Sequence, residues 1–266
     1  MSKTPEINND PKQVQGRVTS SAPVTAGVHL LWLEAPEIAA TAQPGQFAML
    51  KCEGGAFLSR PLSIHRISPD KKQVAFLFAV IGQGTDWLSR SKHGDLIDIL
   101  GPLGNGFNLL PSSREILLIA GGLGLAPLVF LAEQAVQKGV RVNLAYGTAG
   151  DRRYSKEMLP RNIHVMEFTD DGSCGRRGLV TECLPDFVYS VEQIFACGPL
   201  PLYRTLVKQD NLKGKKVQVS LETRMACGLG VCYGCTIKTS AGLKQVCHDG
   251  PIFRLDEVVW EEMAGI

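Results

Sequence analysis

Four cysteines toward the C-terminal end constrain this chain more than any other feature. Cys227 is followed after four residues by Cys232, after two more by Cys235 and after a further eleven by Cys247. Three thiolates within one short loop can wrap an inorganic core, with the fourth supplied by a later turn. A C-x4-C-x2-C run with a distant fourth cysteine is a spacing that holds a [2Fe–2S] cluster. Gly228, Gly230 and Gly234 suit it, because glycine lets backbone approach closely and turn N–H groups toward sulfur. A four-cysteine zinc site, which favours paired short spacings, and a disulfide pair are the alternatives. The other four cysteines, Cys52, Cys174, Cys183 and Cys197, are scattered singly and are expected to be small buried hydrophobes.

Composition narrows the setting. With 266 residues, 44% of them apolar, the chain can bury a sizeable core and form two or three compact units. A net charge of +2 is too small for a disordered polyelectrolyte or a dedicated nucleic-acid binder. The first eleven residues hold no apolar run of signal-peptide length. The longest uncharged stretch, 116–132, is broken by Gly121, Gly122, Gly124 and Pro127, so it predicts a buried strand, a tight turn and a helix start rather than a membrane span. A cytoplasmic protein with no membrane contact is expected.

The chain divides into three regions. In residues 14–110, short apolar runs at 14–20, 29–34, 46–52, 62–67, 73–80 and 95–100 are separated by turn formers such as Pro44-Gly45 and Ser68-Pro69-Asp70. They predict a closed antiparallel β-barrel. In residues 111–216, strands at 115–120, 141–146, 163–169 and 194–196 alternate with helical stretches through Gln137 and over 201–209, which predicts a parallel α/β unit. Residues 217–266, rich in glycine and cysteine, form a third, small cluster-bearing unit.

Several motifs lie in these regions. Arg60-Pro61-Leu62-Ser63 opens a barrel strand, with an arginine suited to gripping phosphate and a serine able to reach a ring edge. Gly82-Gln83-Gly84-Thr85 leads into a short helix over 86–90, whose first N–H groups make a phosphate cradle. Gly101-Pro102-Leu103-Gly104-Asn105-Gly106-Phe107 is too glycine-rich for regular structure and is expected to be a loop, the third such element in this order. Gly121-Gly122-Leu123-Gly124 follows a buried strand and opens a helix, the context for a pyrophosphate at a helix N-terminus. Cys197-Gly198-Pro199 ends the last strand, at the edge where open α/β sheets bind ligands.

In this order the motifs resemble the ferredoxin–NADP reductase superfamily. Together with Asp170-Asp171-Gly172-Ser173, Met225-Ala226-Cys227-Gly228 and the ending Cys247-His248-Asp249-Gly250-Pro251-Ile252-Phe253, they resemble the electron-transfer subunit of NAD-linked (class 1B) dihydroorotate dehydrogenase over residues 14–260. The resemblance implies an FAD in the barrel, with Arg60, Pro61, Leu62 and Ser63 on the flavin and Gly84 and Thr85 on its phosphates. It implies Leu77, Phe78 and Ala79 lining the same site, and one [2Fe–2S] cluster on Cys227, Cys232, Cys235 and Cys247. It further implies NAD(H), with Gly121, Gly122, Cys197, Gly198 and Pro199 at the nucleotide, and no catalytic acid or base in this chain.

The implied partner is an FMN-containing catalytic subunit that oxidises dihydroorotate to orotate, assembled as a heterotetramer of two of each. Electrons would then pass from partner FMN through the cluster and FAD to NAD+. Nicotinamide exchanges two electrons at once and the cluster one, so a flavin, able to do both, belongs between them. Two departures stand out: Phe78-Ala79 replaces the family's usual aromatic–arginine pair, and Arg152-Arg153 could hold an NADP 2′-phosphate or merely form a solvated turn. Alternative readings are a reductase subunit serving a hydrogenase, transhydrogenase or oxygenase, and a zinc-stabilised binding module whose glycine loops are only structural.

Overall fold

The computed structural model describes residues 10–53, 55, 58–149 and 154–263. Arg152 and Arg153, raised above for the 2′-phosphate, lie outside them. The first region is a closed barrel of β1 (Lys12–Thr25), β2 (Val28–Glu34), β3 (Phe47–Leu50), β4 (Arg60–Ile67), β5 (Gln73–Ala79) and β6 (Leu96–Leu103), in the order β1-β2-β5-β4-β3-β6. Helix α1 (Pro36–Ala39) follows β2, and α2 (Gln83–Ser89) follows β5. All neighbouring barrel strands are antiparallel. The strand period of two sorts the side chains. Leu31, Leu33, Val74, Phe76 and Phe78 fill the barrel core, while Leu30, Ala75 and Leu77 face outward onto the next unit.

That unit is a seven-stranded sheet. It contains β7 (Glu115–Gly121), β8 (Arg141–Thr148), β9 (His164–Thr169), the two-residue β10 (Arg176–Arg177), β11 (Gln193–Cys197) and β12 (Lys216–Ser220). Helices α3 (Leu125–Gln137), α4 (Leu184–Phe187) and α5 (Leu200–Leu206) cover it. Glu115–Gly121 is a continuous apolar run because both its faces are covered. Ile116, Leu118 and Ala120 pack toward α3, and Leu117 and Ile119 toward α4 and α5.

The tail region contributes β13 (Thr236–Thr239), β14 (Gly242–Gln245), α6 (Val246–Asp249) and β15 (Ile252–Arg254). β13 and β14 form a hairpin, but β15 pairs antiparallel with β12 at the edge of the large sheet, whose order is β10-β9-β8-β7-β11-β12-β15. The sheet is therefore parallel with one antiparallel edge strand. It draws two strands, β12 and β15, from beyond or across residue 216, where a separate unit was expected to start. A short edge strand does not announce itself by periodicity; only its neighbour makes it a strand.

Other differences are local. β1 runs to Thr25, further than the expected 14–20, its bulges keeping a long strand wrapped round the barrel. α2 begins at Gln83, ahead of the expected 86, and α5 spans Leu200–Leu206 rather than 201–209. Cys52, Cys183 and Cys197 are buried as expected, whereas Cys174 is only partly covered.

Candidate functional site

The sheet order places the site. From β7 the chain moves one way through β8, β9 and β10, then returns to β11 on the other side of β7 and continues to β12. The C-terminal ends of β7 and β11 thus flank a topological switch point, where open α/β sheets leave a crevice. Gly121 to Gly124 and Cys197 to Pro199 are the two lips of that crevice. A Cβ on Gly124 would lie 2.0 Å from the Cys197 carbonyl oxygen, and one on Gly198 would meet Leu202 at 2.8 Å. Gly122 adopts φ +54° and faces open space.

A cleft of about 560 Å³ opens here, lined by Gly121, Gly122, Gly147, Asp170, Gly198 and Pro199 among others. Cys197 does not line it. Its thiol is fully buried, turned toward Tyr203 and Ser220, and burial raises its pKa well above the usual thiol range. The Tyr203 hydroxyl donates to the Ser220 carbonyl at 2.6 Å and accepts from the Gly198 N–H at 3.0 Å, which ties the lip to α5 and β12.

A second cleft, about 540 Å³, lies between the barrel and this sheet. Arg60, Pro61, Leu62 and Ser63 from β4 line it, together with Leu77, Phe78 and Ala79 from β5 and Thr85 from α2. The register explains the grouping. β4 and β5 are antiparallel neighbours, so the beginning of one lies beside the end of the other. Gly84 sits under the Arg60 guanidinium, where a Cβ would come within 2.5 Å of Nε. The Thr85 hydroxyl is engaged locally, accepting from the N–H groups of Ile81 (3.0 Å) and Gly82 (3.2 Å). Any phosphate held here would therefore be met by the Arg60 guanidinium and backbone N–H groups rather than by that hydroxyl.

The opposite wall was not foreseen. It is the segment Ser220 to Met225, running from the end of β12 to the cysteine loop. Within it, Thr223 Oγ1 is buried with no hydrogen-bond partner. A buried polar atom without a partner is costly in a native protein. Its place in a cleft with Ser63 fits a flat polar ligand such as a flavin ring. No periodicity or spacing marks these residues; only the fold brings them across from β4. Glu222 and Leu123 line both clefts. Protein packed around the Glu222 carboxyl raises its pKa by desolvation.

The four clustered cysteines lie in two close pairs. Cys235 and Cys247 sulfurs lie 3.3 Å apart, and Cys227 hydrogen-bonds with Cys232. Among the described residues, no three His, Cys, Asp or Glu side chains converge on one metal ion. Two thiol pairs fit two irons, each held by two sulfurs, better than four thiolates round one zinc.

Backbone donors surround the sulfurs. Leu229 N–H reaches Cys227 at 3.3 Å, Gly230 N–H reaches Cys247 at 3.1 Å, Gly234 N–H reaches Cys232 at 3.5 Å and Cys247 N–H reaches Cys235 at 3.4 Å. Gly228 and Gly230 make this possible with φ +72° and +79°, a Cβ at either position striking Met49 or His248. Burial works to raise the Cys227 thiol, but N–H groups of Leu229, Cys232 and Val231 prevail and lower it to about 6. Burial and the adjacent Cys235 push Cys247 up to about 12 in the metal-free chain.

The stretch 101–107, expected to be a loop throughout, begins as strand. Gly101 to Leu103 belong to β6, and Asn105 donates to the carbonyls of His248 (3.2 Å) and Asp249 (3.0 Å) while its N–H meets the Gly250 carbonyl at 2.6 Å. A glycine-rich loop satisfies any close backbone approach, and here the approaching group is the tail of the same chain.

Comparison with known proteins accords with these features. Residues 222–259 match the family model for the iron–sulfur cluster binding domain of dihydroorotate dehydrogenase B. The electron transfer subunit of dihydroorotate dehydrogenase B (NAD(+)) from Caldanaerobacter subterraneus subsp. tengcongensis is 38% identical, over 82% of this chain and 87% of its own length. The same-named subunit from a Geobacillus species is 36% identical, over 93% and 99% respectively. Among solved structures, the NADH-dependent reduced ferredoxin-NADP oxidoreductase, described in work on flavin-based electron bifurcation, superposes with a TM-score of 0.84 at 27% identity, covering 93% of this chain and 90% of that one. A ferredoxin NADP+ reductase from Neisseria gonorrhoeae with bound FAD and NADP shares the fold at a TM-score of 0.61 and 17% identity, covering 78% and 98%.

Proposed function

Since the chain belongs to the electron-transfer subunits of NAD-linked dihydroorotate dehydrogenase B, we propose that it carries electrons released by dihydroorotate oxidation on a catalytic partner through a [2Fe–2S] cluster and FAD to NAD+. A subunit of this kind works with a partner that carries the substrate chemistry. That partner is read here as an FMN protein, two copies of it joining two of this chain in the cytoplasm. No helix among the described residues is long and apolar enough to cross a membrane.

The observation carrying the reading is the adjacency of the three sites. The segment Ser220 to Met225 forms one wall of the barrel cleft and runs directly into Cys227, while Leu123 and Glu222 join the barrel cleft to the sheet cleft. Cysteines 227, 232, 235 and 247 would ligate the cluster, with the backbone N–H groups of Leu229, Gly230, Gly234 and Cys247 directed at their sulfurs. Arg60, with the backbone at Gly84 and Thr85, would hold the FAD pyrophosphate. Pro61, Leu62, Ser63, Leu77, Phe78, Ala79 and Thr223 would line its ring. Gly121, Gly122, Gly198 and Pro199 would let the nicotinamide nucleotide lie against bare backbone, with Cys197 supporting the lip from behind. Between the one-electron cluster and the two-electron nicotinamide, the flavin supplies the conversion. The residues of this chain would hold the three groups side by side.

Anaerobically purified chain should contain FAD, iron and acid-labile sulfide, with two irons and two sulfides per FAD. It should reduce an artificial acceptor with NADH and form no orotate until the partner is added. Orotate formation by the chain alone, or material lacking both flavin and iron, would overturn the assignment.

A further inference from the structure

The two clefts meet at one ionisable side chain. Glu222 lines both of them and is open to each in the chain as folded, between β12 and the cysteine loop. If the barrel cleft holds the flavin and the sheet cleft the nicotinamide nucleotide, as read above, the direction of the nucleotide follows. Hydride passes only between rings in contact, so the nicotinamide lies at the end of its cleft bounded by Leu123 and Glu222. The adenosine end lies toward Asp170 and Gly178.

We propose that Glu222 sets the relative affinity for oxidised and reduced nicotinamide, its carboxylate favouring the cationic ring of NAD+ over the neutral ring of NADH. The argument is electrostatic. Of the two nicotinamide forms only the oxidised ring carries a positive charge, and a carboxylate beside it in a protein-walled cleft interacts more strongly than in bulk water. Hydride transfer cancels that ring charge, so the attraction ends as the product forms and the reduced nucleotide is held less tightly.

The surroundings leave Glu222 in command of the local charge. Facing it are Tyr203 on α5 and Cys197 on β11, both raised by burial and hence neutral, each sensing the Glu222 charge. Arg224, two residues on, stands on the flavin-cleft side, as does Arg60 at the start of β4, while Asp170 lies in the nucleotide cleft. Desolvation raises the Glu222 pKa in the nucleotide-free chain, and a cationic ring beside it would lower it again, so in the pH range where the free carboxyl is part-protonated NAD+ would release a proton and a neutral ring would not. The sign follows by linkage: NAD+ affinity rises with pH until Glu222 is ionised in the free protein, and affinity for a neutral-ring nucleotide does not rise with it.

The test is calorimetric binding to the FAD- and cluster-loaded chain. The two ligands are NAD+ and 1,4,5,6-tetrahydro-NAD, which has a neutral ring and gives up no hydride. NAD+ should tighten relative to the neutral analogue as pH rises from the ordinary glutamate range, about 4.3, toward neutral. Glu222→Gln should weaken NAD+ roughly tenfold at the upper pH and remove its pH dependence, leaving the analogue within about twofold. An unchanged NAD+/analogue ratio in Glu222→Gln overturns the inference while the nucleotide site stands. Failure of the unaltered chain to bind either ligand overturns the nucleotide site and the inference with it. Should the variant lose its flavin, the pH series on the unaltered chain decides, and a ratio flat with pH counts against Glu222.

Discussion

Gly124 carries no side chain because the turn out of β7 presses against the last carbonyl of β11. A Cβ there would sit 2.0 Å from the Cys197 oxygen, with backbone on both sides and no flexible side chain to yield. Gly124→Ala is expected to cost roughly 1–3 kcal/mol of stability, the usual toll of overpacking. By prising apart the two lips of the cleft, it should also weaken nucleotide binding. Chemical denaturation and calorimetry on one preparation check both, and a variant as stable as the parent would remove the close-approach account. The iron–sulfur character of the cysteine loop was legible from spacing alone, since thiol chemistry requires a particular residue type. Thr223 and Glu222 were not, because a hydroxyl or carboxyl acquires its meaning only from what the chain folds beside it.

Between elements, the connections are as informative as the strands. The loop after β6 reaches the end of α6 and the residue after it through Asn105, whose side chain serves two carbonyls and whose N–H serves a third. This joint holds the Cys247 end of the cluster loop against the barrel. Asn105→Ala removes two exposed side-chain bonds whose carbonyls water can then reach, at a cost of about 0.5–1.5 kcal/mol. Because the damage is local, the chain should keep its FAD and lose its iron–sulfur absorbance faster in air than the parent. Equal bleaching rates would show that the joint does not support the cluster. Glycine spacing identified these loops as places of close backbone approach. It could not say whether phosphate or the protein's own tail would arrive there, since both ask the same of the backbone.

The molecule as a whole is held in working order by contacts between barrel and sheet. Fully buried His65 on β4 donates from Nδ1 to the Ala126 carbonyl at 2.8 Å, so Nε2 accepts from the Tyr154 hydroxyl at 2.9 Å. Next to it, Arg66 pairs with Glu133 of α3 at 2.9 Å. Burial, the largest influence, lowers the His65 pKa to about 3. An unfolded histidine titrates near 6.5, so the stabilisation is whole above that pH and is lost as pH falls from there toward 3. His65→Gln, which cannot take up this proton, should be less stable at neutral pH and show a stability–pH slope flatter by up to about 1.4 kcal/mol per pH unit below 6.5. Thermal unfolding between pH 7 and 4 measures it, and parallel slopes for variant and parent would exclude the buried imidazole as the cause. Sequence by itself determined the barrel, the parallel strands and an iron–sulfur region toward the tail. Each of these rests on local periodicity, turn chemistry or residue type, which a linear reading preserves. Tertiary structure alone decided that β15 returns to the sheet, that Ser220 to Met225 faces β4, and that one carboxyl joins two clefts. Such neighbours are far apart in the chain and are selected by burial and strand pairing, which exist only once the chain has folded.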